Sequence, residues 1–314
     1  GDWSSDVCSS DLKDEGKLFR MSKIVILAET GSDITEEVAK EYGIKLVPMH
    51  VSFGKDTKDD GTFPAEEIYA YYEKTGELPR TSGSVPEDFR RVIAEIREED
   101  PECELLYLAY SAVTTCSYQS AQIAIDTDDI ERIACVDTKH VAAGQYMVVV
   151  ETAKAIKAHP EWTLSEAKEA AEKISASVHM CFIPDTLKFL RAGGRVSNGA
   201  AIAGELLKLH PQIEILDGYL QATKKHRGKM KKIAVKVIPE YIKEQKLDLS
   251  ELYLIWSPGM DEHTKEIAEN AAKECGVKKI TWVRTGGVIT CHGGPGAFGV
   301  VGICRERSEE RRVG

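Results

Sequence analysis

The 314-residue sequence predicts an α/β protein made of two α/β units, an N-terminal three-layer unit on a parallel sheet and a C-terminal two-layer unit on a mixed sheet. Two observations carry that expectation. Short apolar runs rich in β-branched residues alternate with helix-length segments, which is the pattern of crossover units and parallel strands. In the second half, Asp217-Gly218 separates two strand-like runs and marks a type I′ hairpin, so that sheet contains an antiparallel pair.

Taken in order, Lys23 to Ala28 reads as a buried strand. Asp33 then offers a helix N-cap with Glu36 at the capping-box position, and Gly43 ends the helix. Ile44 to Phe53 reads as one strand. Helices follow at about Pro64 to Lys74 and at Pro86 to Glu99, the latter behind a Ser84/Glu87 box. Leu105 to Ala109 is a strand, Ser117 to Asp126 a helix, Ile130 to Asp137 a strand and Val141 to Ala158 a long helix. The second half gives a helix at Ser165 to Ser177 and a strand at Val178 to Ile183. Helical segments follow at Thr186 to Arg191 and Ala200 to Leu209, then hairpin strands at Ile213 to Leu216 and Tyr219 to Ala222. A helix at Met230 to Glu244, a strand at Leu252 to Trp256, a helix at Glu262 to Cys275 and strands near Ile280 and Val288 complete the pattern.

The ends stand apart. Residues 1–12 and 307–314 resemble in-frame translations of adapters used in short-read DNA sequencing and are left out of the fold reading. The expected division is a non-native leader over 1–20, the parallel unit over 21–165, the mixed-sheet unit over 166–304 and a mostly adapter-like tail over 305–314.

The formal net charge of −10 argues against nucleic acid as main partner, because neutralising phosphates takes basic surface. No apolar run is long enough to span a bilayer, and no signal peptide follows Met21. Cys103, Cys116, Cys135, Cys181, Cys275, Cys291 and Cys304 include no Cys-x-x-Cys pair, which fits reduced thiols and a cytoplasmic location. No clustered zinc ligands and no P-loop, Gly-x-Ser-x-Gly or His-Glu-x-x-His motif occur. Gly294 to Gly299 matches G-x-G-x-x-G in letters but lacks the long helix and acidic residue that a dinucleotide fold needs.

Four segments carry candidate chemistry. In Gly286 to Val300, His292 stands between an apolar run read as a strand and a glycine-rich stretch where ligand and backbone could approach closely. In Arg80 to Pro86, Thr81 and Ser82 precede a helix N-terminus, where hydroxyls and free N–H groups can hold an anion. Ser111 to Ser120 places hydroxyls at a strand C-terminal end, where open sheets bind ligands. The run Lys224 to Lys232 is either a solvated helix start or a docking patch for an acidic partner. Arg191 to Ser197 joins that patch or turns the chain.

In order and spacing these segments resemble the DegV family of bacterial fatty-acid-binding proteins, over roughly Ser22 to Cys304. The likeness rests on Glu29-Thr30-Gly31-Ser32-Asp33, Thr81-Ser82, Ser111 through Ser120, Leu187-Lys188-Phe189-Leu190 leading to Gly193-Gly194-Arg195-Val196-Ser197, and His292-Gly293-Gly294-Pro295-Gly296. Departures are Glu29-Thr30 for a usual Asp-Ser, Gly83 for Gln, Thr115-Cys116 for Ser-Gly and Ala112 for a frequent serine. The resemblance implies a buried long-chain acyl tail with its carboxylate near Thr81, Ser82, Ser111, Thr115, His292 and Gly293. It implies no catalytic residue, metal or cofactor beyond the bound fatty acid. It also implies a carrier for phospholipid metabolism serving a separate fatty acid kinase, with Arg191, Arg195, Lys224 and Lys225 facing that partner and transient contact with membranes. Two other readings stay open: an enzyme on a small anionic substrate with His292 as general acid or base, and a docking adaptor using the basic run.

Overall fold

A computed structural model describes residues 24–196 and 209–304. The ends expected to be non-native, Met21, Ser197 and the helix expected from Ala200 lie outside the described residues.

The first sheet is wholly parallel, in the order β2-β1-β6-β7: Ile44–Val47, Ile24–Glu29, Glu104–Ala109 and Ile133–Asp137. Strand alternation sends β1 to two cores. Val25 and Leu27 pack with Phe89, Val92 and Ile96 of α3 (Pro86–Glu99) and with Ala121 of α4 (Ser117–Thr127). Ile26 and Ala28 pack on the other face, with Ala39 of α1 (Glu36–Tyr42) and with α5 (Ala142–Ala158). This is the three-layer arrangement expected of the first half.

The second sheet has six strands in the order β10-β9-β8-β13-β11-β12: Tyr219–Arg227, Leu209–Leu216, Val178–Ile183, Phe298–Ile303, Glu251–Trp256 and Lys279–Arg284. It is mixed: β11 and β12 run parallel, and the other pairs are antiparallel. One face is covered by α8 (Met230–Glu244) and α9 (Glu262–Glu274). The opposite face meets α5, where Tyr146 and Tyr253 pack edge to face at 5.3 Å. From Ala142 to Val150 every residue of α5 is buried, as expected of a helix packed between two sheets. α6 (Leu164–Ser177) lines the same shared core through Ala167 and Ala171.

The structure corrects several local expectations. Asp33 does not cap α1; it adopts a left-handed conformation (φ 63°), and Thr35 is the cap, accepting from Val38 N–H. The run 44–53 is two strands: β2 in the parallel sheet, and β3 (His50–Phe53) in a separate antiparallel sheet with β4 (Asp56–Asp59) and β5 (Arg80–Ser82). Pro48 lies between them and cannot donate to a ladder. Ser84 does not cap α3; the Asp88 carboxylate accepts the Val85 N–H instead. Lys224 to Arg227 continue β10 rather than start a helix. Val288 lies in a short helix, α10 (Gly287–Gly293), and the strand of that region is β13, further on. Asp217 and Gly218 both take positive φ (50° and 87°), as a type I′ turn requires.

Candidate functional site

α10 is positioned from the other half of the chain. Asp33 Oδ1 accepts the Gly286 N–H at 2.7 Å, and Asp60 Oδ1 accepts those of Gly287 and Val288 at 2.8 and 3.2 Å. Carboxylates suit the positive end of a helix. Burial raises both carboxyls above the usual aspartate range, most strongly Asp33, although these N–H bonds pull the other way. The two-turn helix then presents Val288, Ile289, His292 and Gly293 to a cavity.

His292 Nε2 lies 2.8 Å from Thr81 Oγ1, the hydroxyl of β5. Its Nδ1 is buried without a partner, because that edge of the ring is packed against Gly193. A Cβ on Gly193 would fall 2.1 Å from Nδ1, so glycine is required for the close approach. Here α7 (Leu187–Gly193) meets α10. Burial, helped by the nearby Arg195 charge, lowers the imidazole pKa to about 4, so the ring is neutral at pH 7.

Around this pair lies a cavity with about 840 Å³ of empty space, its open mouth included. Its lining is mostly apolar and comes from both halves, including Met49, Val141, Met180, Phe182, Ile255 and Phe298. Thr81 and His292 meet in this lining, Thr115 lies beside Gly83 next to them, and Ser82, Tyr110, Thr114, Arg195 and Thr285 are its other polar residues. Gly83 serves this lining by lacking a side chain, since a Cβ there would meet Thr115 Oγ1 at 2.3 Å and Ser117 Oγ at 2.7 Å. A mostly apolar chamber with a hydrogen-bonding pair suits an amphiphile with a small polar head.

Of the six expected ligand residues, Thr81, Ser82, Thr115, His292 and Gly293 line this cavity. Ser111 does not. It is fully buried and its hydroxyl donates to Gly218 O at 2.8 Å, tying the loop after β6 to the β9–β10 turn. The four expected docking residues are not brought into one patch. Arg195 lines the cavity and donates to Gly193 O at 2.6 Å. Lys224 is committed to Glu244 at 2.6 Å. Lys225 stands exposed on β10, five residues and about 16 Å along the strand from the cavity residue Leu220. Arg191 lies on α7. The sequence reading missed Tyr110, Thr114 and Thr285 as lining residues; the hydroxyl-rich segment after β6 was the signal for Thr114. Among the described residues no cluster of three metal-ligating side chains occurs, and no helix is long and apolar enough to cross a membrane.

A family model described as "Uncharacterised protein, DegV family" matches residues 23–305. The chain belongs to the DegV family. A DegV domain-containing protein of Caldanaerobacter subterraneus subsp. tengcongensis is 30% identical over 284 residues, covering 89% of this chain and 98% of the relative. A Thermotoga maritima protein named fatty acid-binding protein is 27% identical over 292 residues, covering 91% of this chain and 100% of the relative. The fold matches that of a fatty-acid-binding DegV protein from Thermus thermophilus, with TM-score 0.80, 24% identity and coverage of 90% of this chain and 100% of that one. A DegV lipid-binding protein of Thermotoga maritima aligns with TM-score 0.75 at 25% identity, over 90% of this chain and 98% of the other.

Proposed function

We propose that this DegV protein binds a long-chain fatty acid, with the tail in the apolar chamber and the carboxylate at the Thr81–His292 pair. The observation that carries the reading is a mostly apolar lining that holds the hydrogen-bonded Thr81–His292 pair. Each buried methylene contributes about 0.8 kcal/mol, so affinity comes from the tail. The head group still needs donors, because an unpaired buried carboxylate costs several kcal/mol. An orphaned buried N–H is costlier than an orphaned lone pair, so the proton of His292 sits on Nε2 and is given to Thr81 Oγ1. The Thr81 hydroxyl is then left with its own proton to donate to the carboxylate. His292 thus positions a donor instead of supplying charge, and Arg195 is the cation of this lining.

The alternative, an enzyme using His292 as general acid or base, finds less support. A general base is normally oriented through its second nitrogen, and here Nδ1 faces Gly193. With its pKa lowered to about 4 the imidazole is also a weak base. We further propose that the carrier presents its carboxylate to a separate kinase, with Arg195, on the chamber lining, and Arg191 of the same segment facing that partner, Lys225 left out by its distance along β10 and Lys224 because Glu244 neutralises it. Solvent extraction of the purified protein followed by mass spectrometry tests the carrier reading. Long-chain acids are expected, and their loss in Thr81→Ala with His292→Ala. A protein that stays empty after incubation with palmitate and oleate would refute it.

A further inference from the structure

The hydroxyls on the chamber lining are not equivalent. Thr81 Oγ1 is engaged by His292 at 2.8 Å, and Thr114 Oγ1 donates to Ser111 O at 2.9 Å. Thr115 meets Ser117 Oγ at 3.2 Å, and Thr285 meets Thr290 Oγ1 at 2.8 Å. Ser82 is exposed, so water can serve it. Tyr110 differs from all of these. Its ring is half-buried on the lining, and among the described residues its hydroxyl has no hydrogen-bond partner. Nor is that hydroxyl sealed off by packing, so it opens onto the chamber.

The phenol is held in place. The Tyr110 N–H donates to Glu29 Oε2 at 3.0 Å. The ring lies along Gly31, where an added Cβ would fall 3.2 Å from Cε2 and 3.4 Å from Cδ2. A fixed donor facing an apolar space is costly unless something in that space accepts from it. Burial, and then the neighbouring Asp33, push the phenol above its ordinary pKa, so it stays a protonated donor. Glu29, Asp33 and Asp60 all act on it, against the single nearby cation Arg195. Three carboxyls around the donor favour a neutral oxygen as its partner over a carboxylate.

Taking the fatty-acid reading above as given, we propose that Tyr110 is a specificity residue selecting a long-chain fatty acid that carries a hydroxyl group along its chain. The phenol donates to the oxygen of that hydroxyl, while the carboxylate stays with Thr81. A hydroxylated chain buried against aliphatic groups alone would lose its hydrogen bonds to water without replacement. Beside Tyr110 it regains one, and a plain chain leaves the phenol unpaired. A site built around such a donor discriminates against the analogue that lacks the acceptor.

The test displaces a fluorescent fatty acid from the full-length protein with stearate and with 2-, 10- and 12-hydroxystearate. At least one hydroxystearate should bind about fivefold or more tightly than stearate. Tyr110→Phe removes only the hydroxyl and keeps the ring beside Gly31, and there the ratio of the two affinities should fall to about one. Thr81→Ala alters the carboxylate contact, so it should weaken both acids alike and keep the wild-type ratio. Stearate binding with no preference for any hydroxystearate would overturn the proposal and leave the fatty-acid reading standing. So would a preference that survives Tyr110→Phe. Failure of the probe and of every acid to bind would overturn both.

Discussion

Gly193→Ala examines the contact between α7 and the imidazole most directly. The new methyl carbon would lie 2.1 Å from His292 Nδ1, 3.0 Å from Cε1 and 3.2 Å from Cγ. No rotamer of alanine relieves this, so the ring must leave its place and the 2.8 Å bond to Thr81 is broken. On stability the effects partly offset one another. Alanine gains about 1 kcal/mol in a helix over glycine, overpacking costs about 1–3 kcal/mol, and the lost hydrogen bond costs about 0.5–1.5 kcal/mol. The net is a destabilisation of roughly 1–3 kcal/mol. Affinity should suffer separately, because the Thr81 hydroxyl loses the donor that orients it; about 1 kcal/mol there means roughly fivefold weaker binding. Displacement of a fluorescent fatty acid measures the affinity, and urea unfolding the stability. Gly194→Ala is the control: that residue sits at φ +62° with nothing within 4 Å of the added carbon, so strain costs about 1 kcal/mol and the imidazole does not move. In a His292→Ala background the collision disappears, and Gly193→Ala should lose most of its effect on affinity. Wild-type affinity for Gly193→Ala alone, or additive effects in the pair, would refute this account of the contact.

Asp60→Ala removes the acceptor of the Gly287 and Val288 N–H groups; it should cost about 2–4 kcal/mol in urea unfolding and weaken fatty-acid binding, because α10 carries His292. Ser111→Ala should cost about 1 kcal/mol of stability through the lost bond to Gly218 and leave fatty-acid affinity unchanged in the same displacement assay. His140 and His292 are both lowered to about 4 by burial. The unfolded chain therefore takes up more protons than the folded one between about pH 6.5 and pH 4, and these histidines make stability fall as pH drops through that window. The raised carboxyls of Asp33 and Asp60 act in the opposite sense, their contribution being lost as pH rises through their folded values. His140→Gln should flatten the decline in urea midpoint between pH 7 and pH 5, and a variant with the wild-type slope would contradict the assignment.

The alternation of apolar runs and helical segments was legible because each element buries one face, and burial leaves a period in the sequence. The β9–β10 turn was legible because Asp217-Gly218 satisfies a backbone requirement few residue pairs meet. What failed depended on distant partners. Val288-Ile289-Thr290 has strand propensity, yet it is helical because Asp33 and Asp60, more than 220 residues earlier in the chain, hold its first N–H groups. Ile44 to Phe53 carries no signal for which of two sheets each part joins. At the site, Thr81 and His292 were found as candidates, but their 2.8 Å contact was not, since it joins residues 211 apart. Ser111 was misassigned for a related reason: a hydroxyl at a strand end reads the same whether it faces a cavity or, as here, a turn 107 residues away. Arg195 is exposed, but its place on the chamber lining was not legible, because sequence does not reveal that α7 and α10 meet there.

Because α5 is enclosed by both sheets, neither half of this chain owns a complete interior. A cut after α6 would strip Tyr146 from Tyr253 and leave a wide greasy flank on each fragment, so the pieces would clump before they could be studied. The same shared beam resists any clamshell opening. For the fatty acid proposed above, that leaves a local gap at the rim as the route, and a lineage altering one sheet's lining must keep the other's fit to that helix intact.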